Sequence, residues 1–330
     1  MPEPSAAPLV SLQDIRAAAQ RLDGVILRTP LLRLTEHSFV KPESLQPTGA
    51  FKLRGAYNAL AQLPPEALSR GVVTHSSGNH GQALAYAARM LGTRAVVVMP
   101  QGAPAIKVER VRAFGGQIVF VGESHEERSA RAHELAEQEG LVLVPSADDA
   151  RIIAGQGTVG LEIVEQLAAA GLPSDRLTVL VPIGQGGLAA GVSTAVKGLL
   201  PGARVVGVEP ELAADTRDSL ARRRIVRWAT ADVQRTMADG VRMEAPAPLP
   251  FAHLLRHLDE VLTVTEDEIG EAVARAAGEL RLVLEPSGAI SLAALYGGAG
   301  GAGTVTIAVL SGGNVDGGLY VELLRRYHRT

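Results

Sequence analysis

The chain has no cysteine, which excludes disulfides, thiolate metal sites and cysteine nucleophiles. It also has no apolar run near the roughly 20 residues needed to span a bilayer. Its start, MPEPSAAPLV, lacks the basic opening and apolar stretch of a signal peptide. A soluble, cytoplasmic protein is the expectation. A strong excess of one charge sign is missing too: 32 basic against 35 acidic residues leave a net of -3. That excludes the electrostatic footprint of a nucleic-acid or membrane-surface partner, and the short run Arg222-Arg223-Arg224 reads as a solvated face. Aromatics are only 3% of residues, while small apolar residues are many, which suits helices packed tightly on parallel strands. Lysine is scarce as well, occurring only as Lys41, Lys52, Lys107 and Lys197.

What is present is an alternation. At 330 residues the chain holds one large or two medium domains. From residue 71, β-branched runs at 71–76, 94–100, 117–122 and 141–146 alternate with helical patterns at 79–91, 104–114 and 123–139. A second series follows Gly155-Gln156-Gly157: helix 158–170, strand 177–184, helix 187–199 and strand 203–210. Helix 266–282, a further helix after EPSGA (285–289) and strand 304–313 complete it, whereas 211–250 reads as irregular. The pattern predicts an α/β fold of two three-layer domains with parallel sheets. The unit 71–146 is read as a small domain inserted into a large one made of 1–70 and 147–330.

VPIGQGGLAAG (181–191) runs from a strand through glycines into a helix. Backbone N–H groups at such a helix start favour an anion, with phosphate as the natural ligand. Gly184 to Ala189 fits G-x-G-x-x-A, and Glu209 ends the next strand, so a nicotinamide oxidoreductase is one reading. A ligand-free tight turn is another. Neither explains Lys52 in QPTGAFKLRG, nor the polar-glycine turns His75-Ser76-Ser77-Gly78-Asn79-His80 and Ser311-Gly312-Gly313-Asn314.

Five motifs occur in order: TGAFKLRGA, SSGNHGQA, IAGQGT, VPIGQGGL and LSGGN. Together they resemble the fold-type II pyridoxal-phosphate enzymes (tryptophan synthase β-like), in the serine/threonine dehydratase and serine racemase branch. The resemblance runs from about Thr29 to Asn314. It implies pyridoxal 5'-phosphate bound through its aldehyde to Lys52. A lysine serves because its amine loses a proton readily when desolvated, which arginine does not do. It further implies Phe51 packing on the ring and Asn79 bonding the ring hydroxyl. Gly184, Gln185, Gly186, Gly187 and Leu188 would cradle the phosphate, and Ser311 would face the pyridine nitrogen. Ser76, Ser77, Gly78, Asn79 and His80 would bind the substrate carboxylate at a helix start. His75 is a weaker contact.

The implied reaction is β-elimination of L-threonine or L-serine to a 2-oxo acid and ammonia, with Lys52 as general base. Ser77 on the opposite face would permit serine racemisation. A 3-hydroxyaspartate dehydratase would want a further cation, with Arg151, Arg242 and His75 as candidates. Racemase-like relatives imply Mg²⁺ or Ca²⁺ on Glu209, the Ala213 carbonyl and Asp215, which are hard oxygen ligands. The resemblance implies a homodimer too.

Some residues depart from the family's pattern. Gln185 stands where glycines are usual and would be strained at positive φ. Ser146-Ala147 replaces an expected aromatic-proline stretch, and Met243 replaces a polar residue.

Overall fold

The computed structural model describes residues 8–76, 78–103, 105–122, 124–173, 176–301 and 303–327. Among the described residues ten strands form two sheets. They are β1 (Leu32–Arg33), β2 (Ser38–Pro42), β3 (Val72–Thr74), β4 (Ala95–Pro100), β5 (Gln117–Val121), β6 (Val142–Leu143), β7 (Leu177–Pro182), β8 (Arg204–Pro210), β9 (Glu260–Val264) and β10 (Val305–Leu310). The larger sheet has the order β1-β2-β10-β7-β8-β9 and the smaller β5-β4-β3-β6. All pairings are parallel except the short β1–β2 pair.

Both sheets are covered on two faces, and the strands show why. In β7, Val179 and Val181 enter one apolar core while Leu180 enters the other. In β10, Ile307 and Val309 oppose Ala308 and Leu310 in the same way. One face packs on the Ala150–Ala169 and Gly187–Leu199 helices, the other on Glu266–Arg275 and Pro286–Tyr296. Each fully buried Val, Leu or Ile contributes about 1.5–3 kcal/mol. The small sheet alternates likewise: Val97 and Met99 face the Asn79–Met90 helix, and Val96 and Val98 face His125–Glu139. Its first core also draws in Leu53, Ala56 and Leu60 of the Lys52–Leu60 helix, which lie outside residues 71–146.

Two sequence expectations are corrected. The helix read as 158–170 begins at Ala150, capped by the Asp149 side chain, so Gly155 and Gly157 lie inside it. These glycines serve helix packing. A Cβ on Gly155 would stand 2.5 Å from the Arg54 carbonyl oxygen, and one on Gly191 would stand 2.5 Å from the Gly157 nitrogen. The segment 211–250 is not wholly irregular either. It holds the short helices Asp215–Ala221 and Thr230–Val233, and Pro248 opens the Pro248–His257 helix. Proline is tolerated at that position because the first helical N–H groups lack internal partners.

Strand order sets the position of the site. β10, β7 and β8 are adjacent, so the segments after Leu310, Pro182 and Pro210 emerge side by side at the carboxyl end of the sheet. Crevices of this kind hold ligands in parallel sheets. Among the described residues no helix is long and apolar enough to cross a membrane.

Candidate active site

The glycine loop links β7 to the Gly187–Leu199 helix. Gly186 takes the left-handed conformation at φ 93° and is the N-cap, and no side chain caps the first turn. The first N–H groups of that turn have no intrahelical acceptor, and the helix dipole favours an anion before them. Positive φ among described non-glycine residues occurs only at Arg223 and Arg281. Gln185 is therefore unstrained, because Gly186 absorbs the left-handed step.

Lys52 is the first residue of its helix and Phe51 the residue before it. The loop ahead is fastened to the segment after β10. Ala50 bridges Gly312, the Phe51 N–H donates to the Ser311 carbonyl (3.0 Å), and the Gly313 N–H donates to the Gly49 carbonyl (2.9 Å). Lys52 Nζ donates to the Ser146 carbonyl at 2.9 Å and lies 5.1 Å from the Phe51 ring centre. Among the described residues no carboxylate pairs with it. Burial lowers its pKa to about 8. Desolvation favours the neutral amine, which is the nucleophilic and basic form.

Two residues further on, Arg54 anchors the same helix in a fully buried charge cluster. Its guanidinium grips Glu43 through Nε (2.7 Å) and Nη2 (2.8 Å), and Glu162 through Nη1 (2.6 Å) and Nη2 (3.0 Å). Lys41 Nζ joins Glu162 at 2.6 Å. The start of the helix therefore has a fixed position.

Asn79 opens the Asn79–Met90 helix after β3 and faces the segments from the larger sheet. Its Nδ2 donates to Glu285 Oε1 (2.6 Å), and its Oδ1 accepts from Asn314 Nδ2 (2.7 Å). The buried Ser311 Oγ donates to the Ser287 carbonyl (3.4 Å). Burial, then the charge of Asp239, pushes the Glu285 carboxyl up to about 7. Two cations of the Ala105–Ala113 helix reach the same place from the small sheet. Lys107 Nζ meets Asp239 Oδ2 at 2.7 Å, and Arg110 Nη1 donates to Asn314 Oδ1 at 2.8 Å.

Ser76 and Gly78 precede the Asn79 helix, which among the described residues has no side-chain cap at its Gly78 N-cap, so its first N–H groups suit an anion. Ser77, the expected opposite-face residue, lies outside the described residues. His80 is buried, with Nε2 3.1 Å from the Val144 carbonyl and Nδ1 unpartnered. Burial, with the Lys52 charge second, pushes its pKa down to about 3, so the ring is neutral.

Glu209 at the end of β8, and Ala213 and Asp215 just beyond it, are all buried. The Glu209 carboxylate accepts from the Thr216 (3.1 Å) and Arg217 (2.9 Å) N–H groups at a helix start, while Asp215 Oδ2 has no partner. Burial holds both carboxyls above the usual range, and the Asp215 charge pushes Glu209 further the same way. Among the described residues no group of three His, Asp or Glu side chains is arranged for a metal, so any site here uses the backbone oxygen.

Sequence reasoning passed over Glu285, Asn314 and Ser146 as site residues. A Glu-Pro-Ser-Gly opening an apolar helix was the available signal for the first, and LSGGN contained the second. Ser146 was marked only as a departure from the family's pattern.

The family described as pyridoxal-phosphate dependent enzyme matches residues 22–312. The chain is 38% identical over 315 residues to an L-threonine ammonia-lyase of Thermotoga maritima, covering 93% of this chain and 76% of that protein. A solved threonine deaminase from T.th. is 42% identical, with a TM-score of 0.86, over 93% of this chain and 99% of that one. Maize serine racemase is 35% identical, with a TM-score of 0.88, over 98% and 100%. The resemblance carried by the five motifs and the α/β parallel-sheet fold are both borne out. The chain belongs to the pyridoxal-phosphate dependent enzyme family, in the branch that includes threonine dehydratases and serine racemases.

Proposed function

We propose that the protein is a pyridoxal-phosphate-dependent ammonia-lyase that converts L-threonine or L-serine to a 2-oxo acid and ammonia. The observation that carries this is Lys52: a desolvated amine with no carboxylate partner among the described residues, on a helix start fixed to the Ser311 segment. The residues fit the cofactor. The uncapped glycine turn at 184–188 suits the phosphate, and the ring would lie beside Phe51, with Asn79 at its hydroxyl and Ser311 at its nitrogen. When bound, the cofactor supplies an electrophilic aldehyde and a conjugated ring that draws electrons from the substrate Cα.

The chain's own residues do the rest. Lys52 Nζ, as the neutral amine, would take the Cα proton. The open N–H groups around Ser76, Gly78, Asn79 and His80 hold the substrate carboxylate. Buried His80, being neutral, contributes main chain rather than charge. The β-hydroxyl would leave with a proton, as water, and the released enamine, as its imine, would take up water to give the 2-oxo acid and ammonia.

Threonine and serine rank ahead of 3-hydroxyaspartate. Arg151 is engaged by Asp149 (2.6 Å), and Arg242 Nε donates to the Thr236 carbonyl (2.8 Å). Neither is held ready for a second carboxylate. Racemisation of serine is the second reading, supported by the similarity to maize serine racemase. A divalent cation on Glu209, Ala213 and Asp215 is supported by the orphaned Asp215 oxygen. The units 1–70 with 147–330 and 71–146 are proposed as two domains meeting at Lys52, and the working form as a homodimer.

The test is the absorption spectrum of the protein refilled with pyridoxal phosphate, before and after borohydride. A visible band lost on reduction, with the label mapped to Lys52, is the expected result. Release of 2-oxo acid from threonine, serine and 3-hydroxyaspartate ranks the substrates, and chiral analysis of serine measures racemisation. A protein that takes up no cofactor, or is labelled elsewhere, overturns the reading.

A further inference from the structure

We infer that Gln185 and Ser146 form a positioning pair for Lys52, with the Gln185 side chain holding Ser146 so that its carbonyl is presented to the lysine amine. The inference rests on Lys52 being the reactive lysine. Lys52 Nζ donates to the Ser146 carbonyl at 2.9 Å, and Ser146 Oγ donates to Gln185 Oε1 at 2.6 Å. The contacts form a chain from the glycine loop, through residue 146, to the amine.

Ser146 needs such a tether. It lies between β6, which ends at Leu143, and the helix that begins at Ala150. Among the described residues no backbone–backbone hydrogen bond engages it. Its side-chain bond to Gln185 therefore sets the orientation of a peptide that the ladder no longer controls.

Gln185 is a firm anchor. Its carbonyl accepts from the Ala247 N–H at 3.1 Å, and Gly186 beside it takes the left-handed turn. The two loops also touch next door: a Cβ on Gly187 would lie 3.1 Å from the Ala147 Cβ. That contact leaves little room for the 146–147 segment to slide.

The pair also accounts for two departures from the resemblance. A glutamine among glycines and a serine in place of an aromatic-proline stretch look unrelated in sequence. In the fold they are bonded to each other. An aimed carbonyl stabilises the charged amine, so it offsets part of the desolvation that lowers the Lys52 pKa. Releasing the carbonyl leaves the amine with less support and shifts it further down.

The experiment uses the full-length protein stripped of cofactor with hydroxylamine. The pH dependence of Lys52 acetylation by acetic anhydride is followed by peptide mass spectrometry. Wild type is compared with Ser146→Ala, Gln185→Leu, the double variant and Ser146→Thr. Each single replacement is expected to lower the Lys52 midpoint by about half a pH unit. The double variant should shift no further than either single one, because both remove one device. Ser146→Thr keeps the hydroxyl and should match wild type. Unchanged midpoints, additive shifts, or Ser146→Thr behaving as Ser146→Ala would each overturn the pair. Where Ser146→Ala does not fold, Gln185→Asn shortens the reach of the amide and should give the same downward shift; an unchanged midpoint there overturns the pair equally. Each protein is then refilled with pyridoxal phosphate and reduced. Absence of a pyridoxyl label on Lys52 in wild type would overturn the reading of Lys52 itself, a different outcome from unchanged midpoints.

Discussion

Arg54→Met tests the buried charge cluster behind the reactive lysine. Arg54 is fully buried and makes paired contacts with two carboxylates, Glu43 and Glu162. Removing it leaves those two with Lys41 as the remaining cation of the cluster. Breaking a buried pair from one side costs about 3–5 kcal/mol, because the orphaned charge stays desolvated. Unfolding entropy is about 2.1 cal/mol/K per residue, which for a chain of this length gives roughly 0.7 kcal/mol/K. A loss of about 4 kcal/mol therefore lowers the melting temperature by roughly 6 °C. Differential scanning calorimetry reads this directly. Adding Glu43→Gln should recover part of the loss, since one uncompensated carboxylate is then removed. The acid limb gives a second readout. Burial works to raise the Glu43 pKa, but the Arg54 and Lys41 charges overcome it and hold the carboxyl below its ordinary value of 4.5. A carboxyl depressed on folding stabilises above its unfolded pKa and loses that contribution as pH falls through its folded one. Arg54→Met should therefore begin to lose less on acidification than wild type, starting from a lower melting point. A variant melting within about 1 °C of wild type near neutral pH would refute the reasoning.

Glu285 has the opposite sign. Its folded pKa of about 7 exceeds the ordinary 4.5, so its contribution is full below 4.5 and is lost as pH rises through about 7. Relative to Glu285→Gln, wild type should lose melting temperature between roughly pH 5 and pH 8, and a constant difference would refute this. Gly191→Ala should destabilise by about 1–3 kcal/mol, read by urea unfolding, because its methyl would meet the Ala150–Ala169 helix backbone. Millimolar Ca²⁺ or Mg²⁺ should raise the melting temperature of wild type but not of Asp215→Asn; equal responses would remove the proposed cation site.

Much of the architecture was readable because alternating β-branched runs and helical periods carry direct burial information. The Gly187–Leu199 helix and strands β4, β5 and β7 fall where that pattern puts them. Gly155 and Gly157 misled because a glycine that breaks a helix and one that admits a neighbour look alike in one dimension. The Lys52 and glycine-loop motifs were legible since their chemistry demands local residue types. Glu285, Asn314 and Ser146 were not, because each acquires its place through partners far along the chain: 206 positions for Glu285 and Asn79, 235 for Asn314 and Asn79, and 94 for Lys52 and Ser146. The strain feared at Gln185 depended on a φ value that only the loop as a whole determines.

The glycine seam between the Ala150–Ala169 helix and its neighbours has a consequence for how sequences of this kind are compared. Gly155, Gly160 and Gly191 each face a backbone atom too close for a methyl group. That packing constraint is the same whatever substrate the site takes. Gly155 in IAGQGT therefore answers to how two helices meet, and on these contacts the motif reports the scaffold rather than the reaction.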